Sequence, residues 1–167
     1  MISVFICTYN RGNLINGTLE ALINNQTRNP NEIIVVNGGG ENDCQKTLEK
    51  WQKEFSSLKI IQTKNKNLAA SRNVGLPHCS GDLILQTDDD ARPFPDWIDR
   101  IVEAHDKFPE AGVIGGDVID ASGNSSPCKL IITSKRNSWG DYATRSNHCR
   151  FNKEFFTING QCTSWYI

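Results

Sequence analysis

Hydrophobic positions along the chain alternate between two periods. Ile2 to Ile6 is a short, β-branched, apolar run suited to a buried strand. Past Tyr9-Asn10-Arg11-Gly12 the period changes. Leu14, Leu19, Leu22 and Ile23 recur at helical spacing until Asn24-Asn25-Gln26 ends the segment. Ile33 to Val36 reads as a second buried strand, followed by Asn37-Gly38-Gly39-Gly40. Asp43 is placed to cap a helix through Leu48 and Trp51 to Phe55. Leu58 to Ile61 reads as a third strand, Leu68 to Leu76 as a short helix rich in small residues, and Asp82 to Gln86 as a fourth strand. Pro95 is placed to open a helix through Ile98, Ile101, Val102 and His105, because proline is tolerated in a first turn. Ala111 to Ile119 reads as a fifth strand.

Strands alternating with helices predict an α/β fold, a mainly parallel sheet covered by helices on both faces. Ligands of such sheets bind beyond the carboxyl ends of the strands. The polar clusters Thr8-Tyr9-Asn10, Asn37 to Gly40 and Asp88 to Asp90 all follow strands, so the fold gathers them on one edge. From about Ala121 to Arg150 the periodicity is lost and Ser, Asn, Gly and Lys accumulate. That is long for a connection, and reads as a mobile functional loop or as a region missing its packing partners. Phe155 to Ile158 reads as one more strand.

Composition narrows the classes. The chain has 167 residues, enough for one domain with its own core, with 38% hydrophobic and 22% charged residues. A formal net charge of -1 offers no basic field to a nucleic acid. An anionic ligand must therefore be caught locally, by a metal or by backbone N–H groups. The six cysteines contain no CxxC pair and read as free thiols of a reducing compartment. The amino-terminal residues lack a basic stretch and read as a strand, and no apolar run is long enough to span a bilayer. The expectation is a cytoplasmic protein, or one peripheral to the inner face of a membrane.

The sharpest chemical feature is Thr87-Asp88-Asp89-Asp90. Adjacent carboxylates repel one another, and a divalent cation removes that cost, because Mg²⁺ and Mn²⁺ favour hard oxygen ligands and complete their shells with phosphates and water. In extended backbone Asp88 and Asp90 project to one side and Asp89 to the other. The competing reading is a solvated acidic turn before the next helix. Tyr9 offers a ring to stack on a nucleobase, Thr8 and Asn10 offer hydrogen bonds, and Arg72 offers a planar fork of donors to a phosphate. A dinucleotide-binding G-x-G-x-x-G is absent from the first strand–helix turn, which is Tyr9-Asn10-Arg11-Gly12-Asn13. A nucleotidyltransferase would carry a Gly-rich basic loop there, and only Arg11-Gly12 is present.

In order, Ile2 to Arg11, Glu32 to Asn37, Ala69 to Leu76, Gly81 to Asp90, Pro95 to Ile98 and Gly112 to Gly116 resemble family 2 glycosyltransferases, from the first strand to about residue 120. The resemblance implies a GT-A fold, a nucleoside-diphosphate-sugar donor, Mn²⁺ or Mg²⁺, and inversion at the anomeric carbon. By position it implies that Thr8 and Tyr9 line the base and ribose pocket and that Asp88 contacts the ribose. Asp89 and Asp90 would then hold the metal against the diphosphate, with Arg72 a phosphate or nucleotide contact. Where the family has an acidic pair after the second strand this chain has Asn37-Gly38, whose amide is a candidate base contact. Residues 1–120 would form the donor domain, and 121–167 a long loop and the start of the acceptor side. The family's catalytic base lies in that later region and no residue is assigned to it, so the expectation for this chain is donor binding with little transfer. The alternatives are a donor-binding module without transferase activity and a nucleotidyltransferase; the acceptor, whether saccharide, lipid or peptide, is not legible.

Overall fold

The computed structural model describes residues 1–39, 42–64, 67–109 and 111–115, and beyond them the backbone of residues 118–119, 125–126, 130–131 and 155–156. The elements run β1 Ile2–Thr8, α1 Gly12–Ile23, β2 Glu32–Asn37, α2 Asn42–Glu54, β3 Leu58–Gln62, α3 Leu68–Gly75, a 3-10 turn Leu76–His78, β4 Leu83–Asp88 and α4 Trp97–Lys107. The chain divides into two compact units, Met1–Asp99 and Arg100–Ile167.

The first unit holds a four-stranded sheet in the order β3-β2-β1-β4, with every pairing parallel. All six residues of β2 are buried, as a parallel strand covered on both faces requires. On one face Phe5, Ile34 and Val36 form a buried cluster, with Ile61, Leu76 and Ile84 packed against it. The alternate positions Val4, Ile6, Ile33 and Val35 are equally buried, as are Ile15, Leu19, Leu22, Leu48 and Trp51 of α1 and α2. Trp51 keeps its polar handle satisfied, its Nε1 donating to Asn16 Oδ1 at 3.0 Å. Helix α3 lies on β1 and β2 at a distance only glycine permits. A Cβ at Gly75 would stand 2.2 Å from Phe5 Cε2 and 2.4 Å from Val36 Cγ2. The small residues of α3 thus bring its backbone down onto the sheet.

The amino ends of the strands are tied by one acid. Glu32 accepts from Ser3 Oγ at 2.6 Å, Lys59 Nζ at 2.7 Å, Ser80 N at 2.6 Å and Ser80 Oγ at 2.8 Å. Ser3 Oγ in turn accepts from Gly81 N at 2.8 Å. β1, β2, β3 and the segment entering β4 therefore meet at a single buried carboxylate.

The structure departs from the expectations in four places. Residues 112–115 are bend and coil, and the expected fifth strand is reduced to β5, Val118–Ile119. It pairs antiparallel with β6, Ser125–Ser126, instead of extending the parallel sheet; glycines at 112 and 115 favour coil over an extended ladder. Asp43 lies inside the first turn of α2 and is not its cap, since the helix starts at Asn42. Helix α4 begins at Trp97, two residues after Pro95. The Pro95 carbonyl instead accepts from Thr27 N at 2.8 Å, which commits that residue to a turn. The expected strand at Phe155 to Ile158 is β8, Phe155–Phe156, antiparallel to β7, Leu130–Ile131. Most of the segment expected to be a mobile loop, 121–150, lies outside the described residues.

Candidate donor-binding site

The site follows from strand order. β1, β2 and β3 are laid down in one direction, and β4 then takes its place on the other side of β1. Where the order reverses, the segments leaving two neighbouring strands diverge, and a crevice opens beyond their carboxyl ends. Cys7 pairs with Asp88, so the Thr8-Tyr9-Asn10-Arg11 and Asp88-Asp89-Asp90 segments leave the sheet side by side. On the far side of β1, Asn37 pairs with Thr8.

Burial separates the three aspartates, of which the first ends β4 and the next two form a turn. Asp88 ends β4 and is open to solvent, Asp89 is 4% exposed, and Asp90 is open again. A buried carboxylate needs charged or hydrogen-bonding partners, and Asp89 has them. Its Oδ2 accepts from Thr8 Oγ1 at 2.8 Å and its Oδ1 from Arg11 Nη1 at 3.0 Å. The same Nη1 lies 3.3 Å from Asp90 Oδ2. The turn beneath is clamped by α1. The Thr18 hydroxyl faces the carbonyls of Asp89 and Ala91 at 2.7 and 2.8 Å, and Arg92 Nη1 donates to that hydroxyl at 3.1 Å. On the β1 side Asn10 takes the left-handed conformation, φ 54°, which aspargine tolerates better than most residues and which turns the chain into α1.

Like charge is concentrated here. Asp88 is reachable by water, yet partial desolvation pushes its pKa above the ordinary value. Arg72 of α3 opposes that rise, Asp90 and Asp89 add to it, and Arg11 opposes it again. Burial pushes the neighbouring Cys7 thiol up to about 12, so it stays protonated and unreactive.

The profile of glycosyl transferase family 2 matches residues 3–162. The chain belongs to this family. It is 30% identical over 124 residues to the glucosyl-dolichyl phosphate glucuronosyltransferase of Haloferax volcanii, an alignment covering 71% of this chain and 38% of that one. Among solved structures it is similar to S. aureus TarS 1-349 in complex with UDP-GlcNAc, with TM-score 0.58, 23% identity, and coverage of 71% of this chain and 33% of that one. It is also similar to the mannosyltransferase PcManGT from Pyrobaculum calidifontis in complex with GDP-Man and Mn²⁺, with TM-score 0.58, 22% identity and coverage of 71% and 35%. The fold is of the GT-A type. This family 2 chain thus spans well under half the length of these relatives.

The crevice suits a divalent cation that brings part of its shell with it. Among the described residues no group of three or more His, Cys, Asp and Glu converges as a full ligand set. Asp88 and Asp90 are two exposed hard-oxygen donors at a strand end, which leaves the other positions of Mg²⁺ or Mn²⁺ to a diphosphate and water. Of the residues singled out in the sequence, Thr8, Tyr9, Asn10, Asp88, Asp89 and Asp90 meet at the switch point, and Arg72 is near enough to act on Asp88. Tyr9 is 49% exposed at the rim. Asn37 is buried, and its amide is engaged: Oδ1 accepts from Gly39 N and Nδ2 donates to Gln45 Oε1, each at 3.3 Å. Sequence reasoning missed Arg11, Thr18 and Arg92 as supports of the triplet. The only signal was that Arg11 stands three residues past the end of an inner strand on the ligand edge.

Proposed function

We propose that the crevice between β1 and β4 is the donor site of a glycosyltransferase. It takes the nucleoside diphosphate of a sugar donor with Mn²⁺ or Mg²⁺, and the whole enzyme passes the sugar to an acceptor with inversion. The observation that carries the reading is the sorting of the aspartates. Asp88 and Asp90 stand open to solvent at the switch point, while Asp89 is buried and held by Thr8 and Arg11. In this reading Asp88 and Asp90 are the metal ligands and Asp89 holds the turn, a shift from the expectation that Asp89 and Asp90 bind metal and Asp88 the ribose. Thr8 supports Asp89, Tyr9 offers a stacking surface to the base, Asn10 shapes the rim, Asn37 builds the Gly38-Gly39 turn beside it, and Arg72 meets the phosphates.

The solved relatives support a nucleotide-sugar ligand, since they were captured with UDP-GlcNAc and with GDP-Man and Mn²⁺. A bound cation would neutralise the negative charge that gathers on the diphosphate as it leaves. The residues 1–99 supply the donor side; acceptor and catalytic base belong to the rest of the enzyme. We place the protein in the cytoplasm or at the inner face of a membrane. No helix among the described residues is long and apolar enough to cross one, and Cys7, Cys44 and Cys79 are free thiols.

Calorimetry with UDP and GDP, with and without Mn²⁺, tests the site. The parent should bind at least one of them in a Mn²⁺-dependent manner. The Asp88→Asn/Asp90→Asn variant should lose about 100-fold or more in that affinity, the scale of removing charged metal ligands, whereas Asp89→Asn should lose much less. A double variant that binds as the parent does would overturn the assignment.

A further inference from the structure

We infer that Arg11 makes cation binding conditional on the diphosphate: its guanidinium occupies the charge-neutralising place beside Asp90 until a nucleotide arrives. This rests on the donor-site reading above and deepens it. The geometry has three parts. Nη1 of Arg11 lies 3.0 Å from Asp89 Oδ1 and 3.3 Å from Asp90 Oδ2, bridging a buried and an open acid. Asp89 holds the guanidinium in place, because Thr8 supplies only a neutral hydroxyl and a buried carboxylate without a cation is costly. The backbone is fixed as well, since the Arg11 carbonyl accepts from Leu14 N at 3.1 Å and Ile15 N at 3.0 Å as α1 begins. Arg11 therefore stays at the rim whatever binds there.

The consequence is electrostatic. A dication entering alone meets a positive charge already paired with one of its two ligands. It must displace Nη1 from Asp90 or share the oxygen, and it is repelled in either case. A nucleoside diphosphate reverses the sign of that interaction, because the same guanidinium then faces phosphate oxygens as a planar donor. Metal and diphosphate each improve the other's affinity, and linkage makes the two gains equal. Arg11 is thus a positioning residue with a defined thermodynamic signature, and that signature differs from a purely structural one. Loss of a structural support weakens every ligand, whereas loss of an internal competitor strengthens the metal alone.

The test measures Mn²⁺ binding by the spectroscopic signal of the free ion, first with MnCl₂ alone and then with saturating UDP or GDP. Arg11→Gln, which keeps a donor for Asp89, should bind Mn²⁺ alone about tenfold tighter, the factor for removing a unit charge roughly 5 Å from a dication in a water-like dielectric. Its further gain from nucleotide should shrink by at least as much. Arg11→Lys keeps the charge and should stay within about threefold of the parent on both measures. If Arg11→Gln folds poorly, the same comparison is made between Asp89→Asn and Arg11→Gln/Asp89→Asn, where the buried acid is neutral. Unchanged or weaker Mn²⁺ binding on loss of the guanidinium, in a protein with the parent's circular dichroism, overturns the inference. If Asp90→Asn abolishes Mn²⁺ binding while Arg11→Gln leaves the coupling intact, only the role of Arg11 falls. If the parent binds no Mn²⁺ with either nucleotide, or Asp90→Asn changes nothing, the donor-site reading falls and takes this one with it.

Discussion

At the amino ends of the strands a single carboxylate, Glu32, accepts four hydrogen bonds and is closed off from water; at the carboxyl ends three aspartates stand in a row, two of them bridged by the Arg11 guanidinium and two of them, Asp88 and Asp90, open to solvent. The acids at the two ends respond to their surroundings in opposite directions. Burial alone would raise the Glu32 pKa, but Lys59, Ser3 and Ser80 outweigh it and hold the carboxyl at about 2. Asp88 is driven the other way, upward, by partial desolvation and by Asp90 and Asp89 against the pull of Arg72. One end of the sheet uses its charge to join strands. The other gathers three acids around Arg11 and Arg72, which compensate their charge only in part, and leaves the further stabilising step to the ligand.

The sharpest way to break this comparison is Glu32→Gln. With one hydrogen-bonding oxygen replaced by an amide and Lys59 left without its carboxylate, stability should fall by about 2–4 kcal/mol. Nucleotide affinity per folded molecule should be unchanged, because the residue lies at the opposite end of the strands. The pH dependence carries the same mark. The folded pKa, about 2, is below the ordinary 4.5, so the contribution of Glu32 is complete above about pH 5 and drains away as pH falls from 4.5 toward 2. Urea titrations at stepped pH should therefore show a flatter acid limb in the variant than in the parent. An equally steep limb would mean that another acid ties the base of the sheet.

A second variant touches both ends of the argument through α3. Gly75→Ala forces a methyl group into Phe5 and Val36, both fully buried, and should cost about 1–3 kcal/mol. The helix can relieve the clash only by lifting off the sheet, and it carries Arg72. Calorimetry should then show a several-fold weaker nucleotide affinity alongside the lower melting temperature. Lost stability with unchanged affinity would separate Arg72 from the donor site.

What was legible in the sequence tracks the range of each interaction. The strand and helix segments through α3 and β4 announced themselves, because apolar periodicity is local and the inner strands of a covered parallel sheet are continuously hydrophobic. The gathering of Thr8, Tyr9, Asn10 and the aspartates on one edge was also legible, because strand ends share an edge in any parallel sheet. Partnerships between distant residues were not. Arg11 and Asp89 are 78 positions apart, and Ser80 and Glu32 are 48 apart. No period encodes which side chains the strand order will bring together. Asn37 is a candidate base contact by position, and the hydrogen bonds of its amide to Gly39 and Gln45, set by the turn after β2, were not legible. The misplaced features, the cap at Asp43 and the helix start at Pro95, were boundary assignments, where neighbouring turns decide the last residue.

The smallest expected effect has the opposite sign from Glu32→Gln, and that sign is its value. Asp88 is an acid whose folded pKa lies above its ordinary 3.8, so ionisation costs the native state more than it costs the unfolded chain. Stability from this group is therefore greatest at low pH, where it is protonated in both states, and declines as pH rises through the folded value. Replacing it by Asn removes a charge that nothing at neutral pH fully compensates in the absence of a cation. Measured in EDTA at pH 7, Asp88→Asn should leave stability unchanged or raise it by a few tenths of a kcal/mol, since an exposed carboxylate is screened by water. The difference should shrink toward zero as pH is lowered below about 4 and as salt is added. With Mn²⁺ and nucleotide present the order should invert, the parent gaining stability from ligands that the variant no longer holds. A loss of more than about 1 kcal/mol in EDTA would show that Asp88 helps to hold the fold, and the division of labour between the two ends of the sheet would fail.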